Sequence, residues 1–203
     1  MKQILSLIIV VLFYVSSPSQ ARAKYLELGK TEMANHNYDE AIKLFSKSIK
    51  KNQKKSESYF ARGLCYNMLQ HYDKSISDFT EAEKLGNRDA KLYTLRAFAY
   101  SVNEKNDLAL QDLDKAIAID PEAYVGNYYN RAMLQLSFNK YDLALQDLND
   151  YLARAEDPNG YHERGKTLMS KGDLKAACED FRKSAALGNT DEKLLKAIEA
   201  ICK

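Results

Sequence analysis

The chain has 203 residues, 45% of them apolar and 29% charged, a balance that suits a soluble globular protein of one domain or two small ones. Eight Gly and three Pro are too few for a turn-rich β fold and direct attention to helices. A formal charge of +2 excludes charge-driven binding of nucleic acid, which needs clustered excess cations.

The first element in chain order reads as a secretory leader. Lys2 gives a positive start, residues 4–15 form an apolar run, Pro18 follows, and Ala21-Arg22-Ala23 supplies small residues for cleavage. The run has 12 residues, whereas a helix that spans a bilayer needs about 20. The expectation is cleavage after Ala23, export to a periplasm or beyond the cell, and no integral membrane span afterwards. An uncleaved anchor is the alternative. Loss of residues 1–23 removes Lys2 and Arg22 and no acid, so the charge falls from +2 to 0.

From Lys24 onward the sequence is periodic. Tyr25, Tyr59, Tyr93, Tyr128 and Tyr161 are separated by 34, 34, 35 and 33 residues. Four residues after each tyrosine stands a small residue: Gly29, Gly63, Ala97, Ala132, Gly165. Sixteen after it stands another: Ala41, Ser75, Ala109, Ala144, Ala177. Twenty after it comes a large apolar residue: Phe45, Phe79, Leu113, Leu148, Phe181. A period near 34 marks stacked helix-turn-helix units. The small residues let two antiparallel helices approach, and the tyrosine and the large residue fill the space around the contact. Leu85-Gly86-Asn87 and Leu187-Gly188-Asn189 carry a glycine suited to a left-handed helix end. Asp120-Pro121 and Asp157-Pro158 place proline where a helix cannot continue.

This pattern resembles the tetratricopeptide repeat family over residues 24–188. The resemblance implies an all-α solenoid: five units at about 24–55, 56–89, 90–124, 125–157 and 158–189, wound into a right-handed superhelix whose concave face binds peptide or protein segments.

A second periodic feature is charged. Arg62, Arg96, Arg131 and Arg164 are each followed sixteen residues later by Asp78, Asp112, Asp147 and Asp180. The first unit has Leu28 and Leu44 at these positions. Because both positions switch together, each Arg is expected to bridge the two helices of its unit by a two-pronged bond to the Asp. Five lysines at 47, 50, 51, 54 and 55 fall at a helix C-terminus and linker. The helix dipole favours cations there; an acidic partner or an anionic surface is the alternative use.

Residues 190–203 read as a capping helix. Leu194, Leu195, Ile198 and Ile201 recur at helical spacing, with Thr190 or Asp191 as N-cap; a solenoid needs such a half-polar end. Cys178 and Cys202 lie equally far from residue 190 in the intervening turn, which sets them at one height in an antiparallel pair. An oxidising compartment favours a disulfide between them; two reduced core cysteines are the alternative. Cys65 reads as a small buried residue.

No catalytic motif, metal-ligand spacing or phosphate loop occurs in the sequence. Neither enzyme activity nor a cofactor is therefore expected. The family resemblance assigns the groove to the first helix of each unit. Its register places Phe60, Leu64, Met68, Phe98, Val102, Tyr129 and Met133 in an apolar middle, with Leu26 and charged residues towards the ends. The Lys/Asn/Asn/Lys/Arg set by which some relatives clamp a chaperone carboxylate is missing: Leu26, Lys30, Ala61 and Leu95 occupy four of its positions. The expected role is an adaptor or assembly factor that holds an apolar or amphipathic segment of another protein. A self-associating structural protein is the rival, and so is the reading that these residues are simply core.

Overall fold

The computed structural model describes residues 18–52 and 54–202. Eleven helices follow one another among them: α1 (Pro18–Ala34), α2 (Tyr38–Lys50), α3 (Lys55–Met68), α4 (Tyr72–Lys84), α5 (Ala90–Val102), α6 (Asn106–Ile119), α7 (Gly126–Ser137), α8 (Tyr141–Leu152), α9 (Pro158–Ser170), α10 (Leu174–Ala186) and α11 (Glu192–Ile201). The described residues contain no strand. Each odd-numbered helix up to α9 packs against the even-numbered helix that follows it, and α11 packs on α10. The expected all-α solenoid of helix pairs is the observed architecture. The apolar run at residues 4–15 lies outside the described residues, and the expected cleavage point after Ala23 falls within α1.

Within every unit the two helices meet where one side chain is small and its opposite is large. A Cβ built on Gly29 would lie 2.6 Å from the Phe45 ring, on Gly63 2.9 Å from Phe79, and on Gly165 2.6 Å from Phe181. The units with Ala97 and Ala132 use leucines instead, Leu113 and Leu148, in the same buried clusters. Glycine therefore faces phenylalanine and alanine faces leucine, which holds the summed volume of the contact nearly constant. Close-packed interiors tolerate volume-conserving exchanges best.

The turns inside the units are built alike. His36, Gln70, Glu104, Asn139 and Gly172 all take positive φ, between 57° and 87°. After each, one backbone N–H reaches back to a carbonyl five residues earlier, as in Asn37 to Glu32 and His71 to Tyr66. These are left-handed helix ends of Schellman type, and only the last has glycine to relieve the backbone. Gly86 and Gly188, both at φ 95°, close α4 and α10 in the same way. Pro158 corrects the sequence reading: α8 already ends at Leu152, and Pro158 opens α9 with Asp157 as its N-cap. Proline suits that position because the N–H it lacks has no partner in a first turn.

The arginines join three helices at a time. Arg62 donates from Nε and Nη2 to the two carboxylate oxygens of Asp78, at 2.7 and 2.8 Å. The same fork occurs at Arg96–Asp112, Arg131–Asp147 and Arg164–Asp180. The remaining Nη1 reaches the second helix of the preceding unit: Ser46 from Arg62, Thr80 from Arg96, Asp114 from Arg131 and Asn149 from Arg164. In all four units the guanidinium also lies over the periodic tyrosine, 5.4–6.0 Å from the ring centre. The tyrosine is thus also a platform for the cation, while Tyr93 and Tyr128 are buried in the core as well. The hydrogen bonds to their aspartates hold Arg62, Arg131 and Arg164 above the usual guanidinium range. Arg96 is 4% exposed and has a second carboxylate, Glu83, at 2.7 Å.

The array ends in α11, capped by Asp191, whose carboxylate accepts from the N–H groups of Lys193 and Leu194. Leu194 is fully buried against Ala177 and Phe181. Cys178 and Cys202 form a disulfide with their Cα atoms 5.4 Å apart. Closing a loop of this length contributes about 3.5 kcal/mol on the chain-entropy model.

Two stability experiments follow from this packing. Arg96→Ala leaves Asp112 buried without its partner and costs about 3–5 kcal/mol, while Arg96→Leu/Asp112→Leu lies within about 1 kcal/mol of wild type; urea unfolding of the singles and the doubles measures both. Gly63→Ala costs about 1–3 kcal/mol by overpacking despite alanine's better helix propensity. Adding Phe79→Leu, which recreates the alanine–leucine contact of the third unit, recovers most of that loss.

Candidate functional site

The odd-numbered helices form one wall of the stack. Polar side chains tie them to one another: Lys30 of α1 pairs with Glu57 of α3 at 2.6 Å. Asn67 of α3 donates to the Leu95 carbonyl of α5 at 3.4 Å, and Asn127 of α7 donates to Thr94 Oγ1 of α5 at 2.9 Å. The even-numbered helices lie behind this wall, each held to it by an Arg–Asp fork or, in the first unit, by apolar contact.

Side-chain exposure divides the seven expected groove residues into two sets. Met68 is 60% exposed, Phe98 52% and Val102 46%. Phe60 and Leu64 are half-buried against the cluster of Phe79 and Leu92, while Tyr129 and Met133 are half-buried against that of Ala132 and Leu148. The latter four form the floor and the former three the rim. Leu26 does not belong to the surface at all. It is fully buried with Ala41 and Phe45 of α2 and Ala61 and Cys65 of α3, where α1 meets both helices.

The wall has two recesses. One, of about 730 Å³, lies between α1, α3 and the α4–α5 turn and is floored by Phe60, Leu64 and Met33. The other, of about 130 Å³, lies between α5 and α7 beside Phe98 and Met133. The Tyr72 ring meets Phe98 edge-on, with centres 5.8 Å apart, and sets the direction of the phenyl group on the rim. Lys30 and Glu57 stand at the larger recess. Burial pushes the Glu57 carboxyl up, but its hydrogen bond to Lys30 and the charges of Lys30 and Lys54 leave it below its ordinary value. This mouth is therefore polar, with the Lys30–Glu57 pair and Asp89 around its apolar floor.

Reactive groups are not gathered here. Cys65 is buried, and burial pushes its thiol up to about 11, so it stays protonated near neutrality and is a poor nucleophile. Among the described residues no three His, Cys, Asp or Glu side chains are placed to hold a metal ion. What the wall offers is shape and apolar area. The chain register alone did not reveal the rim-and-floor division.

Comparison with known proteins places this wall in context. The tetratricopeptide repeat profile matches residues 26–90, and a second profile of the same repeat matches residues 158–187. No curated protein matches the sequence. Among solved structures the chain superposes on YrrB, described as a TPR protein with an unusual peptide-binding site, with TM-score 0.76 and 18% identity over 87% of this chain and 89% of that one. It is similar to MamA from Desulfovibrio magneticus RS-1 (TM-score 0.74, 17% identity, 84% and 97% covered). PilF of Pseudomonas aeruginosa gives TM-score 0.69 and 16% identity, with 88% and 81% covered. At these identities the likeness is one of fold.

The exposure pattern sets a stability test that separates rim from core. Phe98→Ser, on the rim, changes the unfolding free energy by no more than about 0.5–1 kcal/mol, whereas Leu26→Ser, which also puts a hydroxyl into the core, costs at least about 3 kcal/mol. Chemical denaturation of the two variants beside wild type measures the difference.

Proposed function

Because the chain belongs to the tetratricopeptide repeat family, we propose that it is a non-enzymatic interaction module whose inner wall holds an apolar or amphipathic segment of another protein, as an adaptor or assembly factor. The observation that carries this reading is the rim of Met68, Phe98 and Val102, all about half or more exposed, above two apolar-floored recesses. A contiguous exposed apolar surface of this kind marks a partner site on a soluble protein, and methionine adapts it to more than one shape. The peptide-binding description of YrrB supports the mode of binding, not the identity of the partner.

Export is part of the proposal. It rests on Lys2, the apolar run at residues 4–15 and Ala21-Arg22-Ala23, and the Cys178–Cys202 disulfide suits an oxidising compartment.

Site-specific photo-crosslinking tests the wall directly. A photoreactive residue at position 68 or 98 captures a distinct partner protein, while one at position 143, on α8, does not. Met68→Glu/Phe98→Glu lowers capture from position 102 at least about tenfold without loss of fold. Crosslinks only between copies of the chain would favour a self-associating structural role, and capture only from position 143 would overturn the groove.

A further inference from the structure

The edge of the stack that carries the turns between units is electrically uneven. At most of these turns the cations are matched by acids. Lys84 pairs with Glu81, Arg154 with Glu122 and Lys183 with Glu156. The α6–α7 turn carries Asp120 and Glu122. The α2–α3 turn differs. Lys47, Lys50, Lys51, Lys54 and Lys55 are all exposed there, and residues 47–55 contain no acid. Lys54 lies 3.5 Å from Glu57; among the described residues the other four form no ion pair. The C-terminal dipole of α2 favours Lys47 and Lys50. It does not account for Lys54 and Lys55, which stand at the N-terminal end of α3, where the dipole disfavours cations.

Topology places this turn beside the entry of the chain. Helix α1 runs away from this edge and α2 returns to it, so the α2–α3 turn lies at the end where α1 begins. Counted from the equivalent tyrosines, α1 starts seven residues before Tyr25 and α3 four before Tyr59. The start of α1 therefore projects about 4.5 Å further along its axis. The segment that precedes it in sequence contains the apolar run at residues 4–15. The most basic turn and the route to the most apolar stretch thus share one edge.

We infer that this edge, through Lys47, Lys50, Lys51, Lys54 and Lys55, seats the protein on a membrane surface of anionic phospholipid headgroups. Clustered exposed lysines are drawn to a sheet of anionic headgroups whether or not the leader is retained. All five cations are Lys and none Arg. Flexible point charges suit a diffuse sheet of phosphates, whereas a shaped carboxylate site favours the guanidinium fork. This surface lies outside the groove, so its test does not depend on the groove reading.

The experiment measures binding of the full chain to vesicles of zwitterionic phosphatidylcholine and to vesicles that also contain phosphatidylglycerol. Any insertion of the apolar run is common to both vesicle types, so the preference for the anionic vesicle is the readout. The wild-type chain binds the anionic vesicle at least about tenfold tighter, and high salt removes the preference. Changing the five lysines to Gln abolishes it. A comparable charge loss at the other end, Lys171→Gln/Lys175→Gln/Lys193→Gln/Lys196→Gln, leaves it intact, and so does Met68→Glu/Phe98→Glu. Circular-dichroism melting confirms that the exposed substitutions preserve the fold. Equal wild-type binding to both vesicles overturns the inference, as does a preference that survives the five changes or is lost in the distal control. If polyglutamate engages these lysines while anionic vesicles do not, the edge takes an acidic protein and the lipid reading fails.

Discussion

A guanidinium group has three nitrogens, and four consecutive units of this protein use all of them at a junction of three helices. Two nitrogens hold the aspartate on the second helix of the same unit, and the third reaches back to the second helix of the unit before. Each arginine is therefore both the tie within a hairpin and the tie between hairpins. Its charge is met by a two-pronged carboxylate and its flat face by a tyrosine ring. Removing one partner from such a site is costly even where the pair adds little over aliphatic packing. The first unit has Leu28 and Leu44 at these positions, with Leu28 exposed, and joins its helices through Leu26, Ala41 and Phe45 instead.

That junction sets the position of the first helices, and their positions determine what the wall can do. The glycine–phenylalanine and alanine–leucine contacts fix how near the two helices of a hairpin come. With the backbones held at this spacing, side chains on the far side of a first helix face outward or into the gap beside the next unit. Phe98 and Met68 face outward; Phe60 and Met133 line the gaps. An apolar rim over apolar recesses is thus a product of the same spacing that makes the core.

Much of this was legible in the sequence because the relevant positions repeat by residue type. Tyrosine, the small residue, the large apolar residue and the Arg/Asp pair each recur with nearly the same chemistry, so the period and the helix pairing could be read directly. The third arginine contact could not. Ser46, Thr80, Asp114 and Asn149 share only an oxygen acceptor, and no single letter marks them. The left-handed turn residues escaped for a related reason. His36, Gln70, Glu104 and Asn139 adopt a conformation that glycine would signal, and neighbouring hydrogen bonds impose it instead. Leu26 departs from the groove register because the small residues Ala61 and Cys65 of α3 let it pack into the core with Phe45.

A one-dimensional stack loses structure from its termini inward, and the two termini here are unlike. At one end, a sulfur–sulfur bond and the Arg182 contact to the Cys202 carbonyl fasten the final helix to its neighbour. At the other, the first described hairpin has no guanidinium fork of its own. Unravelling therefore has a direction: it starts beside the entry of the chain and travels towards the covalent clasp, so a machine pulling on the leading end meets resistance that rises as it proceeds.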